Sequence, residues 1–366
     1  MKFVFLSYGK NPAFSKPEDW LHRIRGYIGI LEKLTMKNQV VSIEQINYEG
    51  IFSHNGVDYH FLKSDDHALK FPRRLHQYVK TLNPDIVFVH GMHFPFQVIQ
   101  LKKKLSPKTK IIVQNHAEKP GKGYKKILQR MADPLIDAYL FTSVQMGEDW
   151  IKKGIIKNRQ KIREVMEASS VFMPIEKKEA LAYTGVNGSP VFLWVGRLDQ
   201  NKDPVTVVKS FLKFVKLFPA ARLYMIFHTD ELIIEIRKIL EDANVKNDAV
   251  VLVGKIEHEK MLYWYNAADF IVSGSHYEGS GVAVCEAMSC GCVPVLTNIL
   301  SFQKITNEGQ CGLLYEPGNE KELLSALLRS MELNVEEERR KVLRQFHSYL
   351  SFEAIANTIQ EIAASL

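Results

Sequence analysis

Short apolar runs alternate with amphipathic stretches along the first half of the chain. The segments KFVFLSY, DIVFVH, KIIVQNH and DAYLFTS have the length and the β-branched and aromatic content of buried strands. Apolar residues recur at intervals of three and four in EDWLHRIRGYIGILEKLTMK, which predicts a helix, and YEGIFSHNGVDYHFLK predicts a hairpin that turns at Asn55 and Gly56. This alternation predicts a parallel sheet that is covered by helices on both faces.

The alternation stops between about residues 170 and 190 and then begins again. The segment SSVFMPIEKKEALAYTGVNGSP mixes Pro, Gly, Ser and charged residues without a period, whereas PVFLWVG, ARLYMIFH, AVVLVG, DFIVSGS and VPVLTN predict further buried strands. We therefore predict an α/β chain with two doubly wound, Rossmann-like domains that face each other across a cleft. The predicted parts are a first domain (1–172), a linker (173–190), a second domain (191–350) and a C-terminal helix (351–366) that packs back toward the first domain.

Length and composition agree with a globular protein of two domains. The chain has 366 residues, of which 46% are hydrophobic and 24% are charged. The start, MKFVFLSYGK, has too few apolar residues for a secretory signal, and no uninterrupted apolar run reaches the roughly 18 residues of a membrane span. The four cysteines fall late in the chain, and the single-residue spacing in CGC differs from that of zinc sites. We expect a cytoplasmic protein with buried, reduced thiols.

Positive charge is concentrated in one segment of the first domain. The formal net charge of the chain is +7, and from Lys70 to Arg130 fourteen Lys and Arg residues stand against only Asp85 and Glu118. A basic patch favours anionic partners such as lipid head groups, nucleic acid or phosphorylated ligands. The alternative is a solvated surface that is spread over several helices.

The stretch HYEGSG lies between a predicted strand and a predicted helix in the second domain. A helix that begins near Gly281 would direct its free N–H groups at a ligand, which suits a phosphate. Glu278 before this helix and Glu286 inside it could straddle a ligand about 10 Å long, the length of a nucleoside diphosphate sugar. Two carboxylates beside a diphosphate need compensating charge, and Arg197 and Lys202 in WVGRLDQNKDP can supply it.

The alternative interpretation gives these residues ordinary structural roles. Ser280 would cap the helix, the two glutamates would lie in a loop and on a surface, and the two cations would pair with Asp199 and Asp203.

Three segments of the second half, VGRLDQNKD, GKIEHEKMLYWYNAADFIVSGSHYEGSGVAVCEAMSCGCVPVLTN and NEGQCGLLYEPGNEKEL, resemble the second domain of the family-four retaining glycosyltransferases of the GT-B fold. The resemblance covers most of residues 190–330, is highly specific in 269–297 and is much weaker over residues 1–170. It implies a sugar-nucleotide donor that is bound mainly by the second domain, and transfer with retention of the anomeric configuration.

By position, the resemblance implies a role for each matching residue. Arg197 and Lys202 would bind the diphosphate, Glu286 the ribose and Glu278 the donor sugar. The other implied donor-binding positions are Ile256, Gly279, Ser280, Gly281 and Val282.

The first domain would contribute His116, at the end of a predicted strand, as a catalytic residue that contacts the donor sugar; His90 and His93 are alternatives for this role. Where the family often has a glycine-rich turn after its first strand, this chain has only Gly9 beside Lys10. These two residues are candidates for a donor lid or an acceptor contact.

The expected reaction needs no metal and no cofactor, since no Asp-x-Asp motif occurs in the sequence. The resemblance implies same-face transfer of a hexose-type sugar from a nucleoside diphosphate sugar, with UDP or GDP as the expected nucleotide. The expected acceptor is a glycan or a lipid-linked intermediate of cell-surface polysaccharide at the inner face of the membrane; nucleic acid is not an expected partner. Alternatives are a non-catalytic nucleotide-sugar binding protein and a GT-B epimerase or phosphorylase.

Overall fold

A computed structural model describes residues 1–63, 71–243 and 248–366 of the chain. In this part of the chain, the residues form two compact units, the first from residues 1–169 together with 352–366 and the second from residues 170–351. Lys70, which belongs to the basic segment of the sequence, lies outside the described residues.

The strands are β1 (Lys2–Ser7), β2 (Gln39–Glu44), β3 (Gly50–His54), β4 (Val57–Phe61), β5 (Ile86–His90), β6 (Lys110–Gln114), β7 (Ala138–Phe141), β8 (Ile162–Glu164), β9 (Val191–Gly196), β10 (Arg222–Phe227), β11 (Val250–Gly254), β12 (Phe270–Ser273), β13 (Val293–Thr297) and β14 (Leu313–Tyr315).

The α-helices are α1 (Pro17–Arg23), α2 (Arg25–Leu34), α3 (Arg73–Thr81), α4 (Pro95–Lys102), α5 (Tyr124–Ala132), α6 (Val144–Lys152), α7 (Lys177–Thr184), α8 (Pro204–Val215), α9 (Ile233–Asp242), α10 (Met261–Ala267), α11 (Val282–Ser289), α12 (Leu300–Ile305), α13 (Glu320–Ser330), α14 (Val335–Gln345) and α15 (Phe352–Ala364).

The sheet of the first unit has the strand order β3-β4-β2-β1-β5-β6-β7-β8. Its strand pairs are parallel except for β3 and β4, which form the predicted hairpin around Asn55 and Gly56. Both turn residues have positive φ angles, 48° and 82°, as a tight two-residue hairpin turn requires. The inner strands are buried, which accounts for their continuous apolar sequences.

The sheet of the second unit is parallel throughout, with the order β11-β10-β9-β12-β13-β14. From β9, the chain therefore adds β10 and β11 on one side of the sheet. It then crosses over and adds β12, β13 and β14 on the other side of β9. Ligands of such sheets bind beyond the carboxyl ends of the strands where the order changes direction. In this unit, that position is beyond β9 and β12.

Two predicted segments have a different structure from the one that the sequence indicates. The single helix predicted from EDWLHRIRGYIGILEKLTMK is divided into α1 and α2 by Ile24, whose φ of −102° and ψ of 18° are not helical. The segment 173–190, predicted as a linker, contains α7, which packs against α10 through the stacked rings of Tyr183 and Tyr263. Ala180 is the one buried residue of α7, so this short helix has no repeating pattern of apolar residues from which the sequence could predict it.

The C-terminal helix α15 belongs to the first unit, where it packs against α2. An ideal Cβ atom placed on Gly29 would lie 2.6 Å from the ring of Phe352, so the helices can be this close only because Gly29 has no side chain. The amide of Asn38 also donates to Gln360 Oε1.

We predict that Gly29→Ala lowers the free energy of unfolding by about 1–3 kcal/mol through overpacking. In an unobstructed helix interior the same change would raise it by about 1 kcal/mol. Urea unfolding of the two single variants and the double variant with Phe352→Leu tests this contact. The smaller side chain at position 352 should remove most of the penalty, and an unchanged penalty in that background would contradict the proposed contact.

Candidate functional site

The loops that follow β9 and β12 are joined by hydrogen bonds. The N–H of His276 donates to the carbonyl of Asn201 at 2.8 Å, and the Asn201 side chain donates to the carbonyl of Tyr277 at 3.0 Å. An ideal Cβ atom on Gly274 would lie 2.7 Å from the carbonyl oxygen of Asp203, so the two loops touch through backbone. The parallel pairing of β9 and β12 thus brings the two predicted motifs together.

Lys202 and Glu278, one from each loop, form an ion pair. The hydroxyl of Ser275 also donates to Glu278 Oε1, at 2.7 Å. Asp203, the alternative partner expected for Lys202, accepts instead from the N–H of Thr206 and caps α8. Lys202 therefore pairs with Glu278, the carboxylate that is predicted to bind the sugar, and not with Asp203.

Arg197 has the partner that the alternative interpretation expects. Its guanidinium lies 3.1 Å from Asp199 Oδ2, and about half of its side chain is exposed. A guanidinium has five N–H donors, so this pair leaves donors for an anion.

Glu286 is buried, with 7% of its surface exposed, and both of its carboxylate oxygens have partners. Its Oε1 lies 2.5 Å from Nε2 of His258, and its Oε2 accepts from the hydroxyl of Tyr265 at 2.8 Å. Phe172 stacks on His258 with the ring centroids 4.9 Å apart. Burial, and then the charge of Glu286, raise the pKa of Tyr265 well above its ordinary value, so the phenol remains a donor. These contacts fix the carboxylate and leave lone pairs for further donors.

Sequence reasoning did not identify His258 and Tyr265. They precede Glu286 by 28 and 21 residues, and the contacts depend on how a short 3-10 turn after β11 and helix α10 pack beside α11. Ile256, predicted as a donor-binding position, is half-buried in the segment after β11, two residues before His258, the hydrogen-bond partner of Glu286.

Helix α11 begins as predicted beside Gly281, which occupies the N-cap position with a φ of 60°. Within the described residues, no side chain caps this helix, so the capping role considered for Ser280 is not seen; Ser280 is buried. An ideal Cβ atom on Gly281 would lie 2.6 Å from the ring of Phe302. Gly279 is half-buried and Val282 is exposed, which leaves the start of the helix open to an anion.

In the first unit, His116 follows β6 and its Nδ1 forms an ion pair with Glu167. Its backbone N–H donates to Glu118, whose other oxygen accepts from the N–H of Met92 at 3.0 Å. The ring is also 3.2 Å from the ring of His90, measured from Nε2 to Nδ1, and His90 contacts the hydroxyl of Tyr27 at 2.7 Å. The sequence did not indicate Glu167, which lies 51 residues after His116.

The two neighbouring histidines have pKa values that are shifted in opposite directions. Burial alone would lower the pKa of His116, but the hydrogen bond and charge of Glu167, together with the charge of Glu118, raise it above the ordinary value. Burial, and then the charge of His116, lower the pKa of His90 well below its ordinary value. The pair therefore favours a proton on His116 over one on His90.

The other candidates of the first unit are His93, Gly9 and Lys10. His93 is exposed in the turn before α4, so His90 is the alternative histidine that contacts His116. The backbone N–H of Gly9 donates to Ser7 Oγ at 3.1 Å. Lys10 follows, and the backbone N–H of Asn11 then donates to the carbonyl of Gln45 at 2.9 Å. The loop after β1 is thereby attached to the chain after β2.

Cys285, Cys290, Cys292 and Cys311 are free and buried, as the sequence predicts. Burial raises the pKa of all four thiols, that of Cys290 to about 12. Within residues 1–63, 71–243 and 248–366, no three His, Cys, Asp or Glu side chains group as metal ligands would. No helix in the same ranges has both the length and the apolar character to cross a membrane.

Solved structures share this fold over the full chain. A glycosyltransferase from Rickettsia africae ESF-5 has a TM-score of 0.76 at 14% identity, with 100% of this chain and 98% of that chain covered. Anabaena Alr3699/HepE, solved in complex with UDP and glucose, has a TM-score of 0.72 at 13% identity, with 100% of both chains covered. The predicted fold class, two Rossmann-like α/β units of the GT-B architecture, is confirmed.

Sequence comparisons match the second half of the chain to known proteins. Residues 176–346, a little under half of the chain, match the model of the glycosyl transferases group 1. The chain is 27% identical over 219 residues to a poly(glycerol-phosphate) alpha-glucosyltransferase of Bacillus subtilis, covering 57% of this chain and 29% of that protein. It is 22% identical over 238 residues to a GDP-mannose:cellobiosyl-diphosphopolyprenol alpha-mannosyltransferase of Xanthomonas oryzae pv. oryzae, covering 63% and 60%. The chain thus spans less than two thirds of the length of these relatives.

We predict that Glu167→Gln lowers the pKa of His116, because the amide removes the negative charge that offsets burial. Two-dimensional NMR titration of the histidine ring should detect the fall, with Glu148→Gln, which breaks the ion pair with Arg159, as the control.

Since the folded-state pKa of His116 is raised, the stability from its pair with Glu167 is present below the unfolded-state pKa and is lost as pH rises through the folded-state pKa. Glu167→Gln should therefore destabilise the protein at pH 6 more than at pH 9. An unchanged His116 titration would contradict the assignment.

Proposed function

We propose that this protein is a retaining glycosyltransferase that moves a hexose-type sugar from a nucleoside diphosphate sugar to a glycan or lipid-linked acceptor. The observation that carries the proposal is the joining of Lys202 to Glu278 beside the uncapped start of α11, with Glu286 held inside the same helix. Such a donor has an anionic diphosphate between two hydroxyl-rich sugars. The cation and the helix start suit the diphosphate, and the two carboxylates suit the sugar hydroxyls.

The donor parts are assigned to residues as follows. Glu286 accepts the ribose hydroxyls, Glu278 accepts hydroxyls of the transferred sugar, and Arg197 and Lys202 bind the diphosphate together with the backbone from Gly279 to Val282. Ile256 lies against the base. Support for the ribose assignment is the orientation of the buried carboxylate by His258 and Tyr265, since a fixed acceptor loses little entropy on binding.

UDP and GDP are the nucleotides that we propose. One structural neighbour was solved with UDP and glucose, and the name of one relative specifies GDP-mannose. The Bacillus and Xanthomonas relatives are named a poly(glycerol-phosphate) alpha-glucosyltransferase and a GDP-mannose:cellobiosyl-diphosphopolyprenol alpha-mannosyltransferase, and these names support an acceptor in cell-surface polysaccharide synthesis.

The proposed reaction is a same-face displacement without a metal or cofactor. The bond from the anomeric carbon to the diphosphate oxygen breaks, the acceptor oxygen bonds to that carbon, and the acceptor proton passes to the leaving phosphate. Arg197, Lys202 and the start of α11 stabilise the charge that develops on this phosphate. His116 and Glu278 hold the sugar; Gly9 and Lys10 remain our candidates for a lid or acceptor contact.

We also propose that the protein works at the cytoplasmic face of a membrane, where the basic first unit attracts an anionic lipid surface. Such attraction amounts to about 1 kcal/mol per lysine near the surface and weakens with salt. The alternatives are a binding protein that releases no nucleotide and an epimerase that returns an altered donor. Assays of donor turnover with and without acceptor separate them from a transferase.

For the nucleotide, we expect UDP or GDP to raise the melting temperature of the wild type, because a ligand that binds only the folded state stabilises it. Glu286→Ala should weaken nucleotide binding by about 1–3 kcal/mol, the cost of a lost charged hydrogen-bonding partner. Glu278→Gln should instead mainly lower turnover. Calorimetry and kinetics on both variants decide the assignment, which is wrong if binding and rate are unchanged in both.

For the diphosphate, Arg197→Ala and Lys202→Ala should each lower turnover, whereas Lys209→Ala, which removes a cation that faces Glu320, should not. Lys202→Ala should be the more severe change, because it leaves the half-buried Glu278 without its cation. The wild type should remain active in EDTA. Activity that disappears on chelation and returns with Mg²⁺ or Mn²⁺ would overturn the metal-independent mechanism.

A further inference from the structure

Helix α5 of the first unit exposes an apolar face. Tyr124, Ile127 and Met131 are 71%, 58% and 58% exposed, and their spacing of three and four residues puts them on one side of the helix. The opposite side is fixed to the unit by the buried residues Gln129 and Ala132. Large apolar side chains that are grouped in this way, unlike scattered ones, indicate an interaction surface.

Positive charge surrounds this apolar face. The segment 119–132 contains five basic residues and no Asp or Glu; they are Lys119, Lys122, Lys125, Lys126 and Arg130. Among the described residues, no carboxylate forms an ion pair with Lys122, Lys125 or Lys126. Lys122, Lys125 and Lys126 therefore keep their charge available to an external anion.

The basic region continues onto the next helix. Arg130 donates to the carbonyls of Lys153 and Gly154, both at 2.9 Å, which places the end of α6 beside the end of α5. Lys152 and Lys153 are exposed there. The apolar face thus has lysines at both ends.

We propose that the face of Tyr124, Ile127 and Met131, with its flanking lysines, is the surface that docks the protein on an anionic lipid membrane. Apolar side chains enter the boundary between head groups and acyl chains, while lysines beside them bind the anionic head groups. Long lysine stems can lie along the apolar layer and keep the ammonium groups in water.

Charge favours lipid over a second copy of this chain as the partner. A symmetric contact through α5 would bring the lysines of both copies together without acidic residues in the segment to compensate them. An anionic surface instead satisfies the charge and the apolar face at the same time.

The lysines of LKKKLSPKTK, the most basic stretch of the sequence, have a different environment. Lys102 and Lys104 are half-buried, and the ammonium of Lys102 donates to the carbonyl of Thr109 at 2.5 Å. α5 differs from that stretch by having exposed apolar side chains beside its lysines. The inference rests on the proposed association with an anionic surface, but it does not need the proposed transfer reaction.

Co-sedimentation with vesicles of phosphatidylglycerol and phosphatidylcholine tests the surface. Ile127→Ser should weaken vesicle binding by about tenfold, the loss expected for one buried aliphatic side chain. Ile234→Ser is the matched control, since Ile234 is 82% exposed on α9 of the second unit. Lys125→Glu with Lys126→Glu should also weaken binding, and the wild type should bind little to phosphatidylcholine alone.

A fluorescent label reports insertion directly. The four native thiols are buried with raised pKa values, so a cysteine introduced at position 127 can be labelled selectively with an environment-sensitive dye. The emission of Ile127→Cys should shift to the blue with anionic vesicles, and that of labelled Ile234→Cys should not.

The outcomes separate this inference from the other proposals. If the wild type binds anionic vesicles and Ile127→Ser binds equally well, α5 is not the docking surface, although the membrane association stands. If the wild type does not bind, both are wrong, and nucleotide-induced stabilisation still tests the transferase proposal independently. If Ile127→Ser abolishes self-association in sedimentation velocity but leaves vesicle binding unchanged, the face belongs to a second copy of the chain and the inference is overturned.

Discussion

The ion pair between Lys202 and Glu278 is the interaction on which the candidate donor site depends. Both side chains are largely removed from water, and two charges in such a position cost several kcal/mol of desolvation unless they are paired and hydrogen-bonded. The pair is possible because β9 and β12 are neighbours and their loops are joined by backbone contacts at Asn201 and Gly274. A diphosphate that binds here would meet a cation already held in place by the carboxylate assigned to the sugar.

Glu286 meets the same cost of burial in another way. Its partners are an imidazole and a phenol from the chain after β11, so the carboxylate is fixed by donors that also pack against each other through Phe172. The two carboxylates of the motif therefore have different partners: Glu278 pairs with the ammonium of Lys202, whereas Glu286 is fixed by the aromatic side chains of His258 and Tyr265. This difference agrees with separate roles for the two residues. Glu278 would lie where charge changes during a reaction, and Glu286 would only hold a ligand.

In the first unit, the neighbouring charges of Glu167 and Glu118 outweigh the burial of His116, while burial and the charge of His116 keep His90 neutral. Both ring nitrogens of His116 have partners within the unit, Glu167 at Nδ1 and His90 at Nε2. The resulting chain of contacts from Glu167 through His116 and His90 to Tyr27 connects four parts of the unit.

The sequence by itself determined the alternation of strands and helices, since the buried strands of a parallel sheet must be continuously apolar, and it determined the glycine-bounded helix start at Gly281. It missed the break at Ile24 and helix α7, because a single non-helical residue and one buried side chain leave no period to detect. Only the tertiary structure decided that Lys202 pairs with Glu278 rather than Asp203, that His258 and Tyr265 hold Glu286, and that Glu167 reaches His116. Those contacts join residues 21 to 76 positions apart, and the order of the strands, which local patterns do not encode, brings them together.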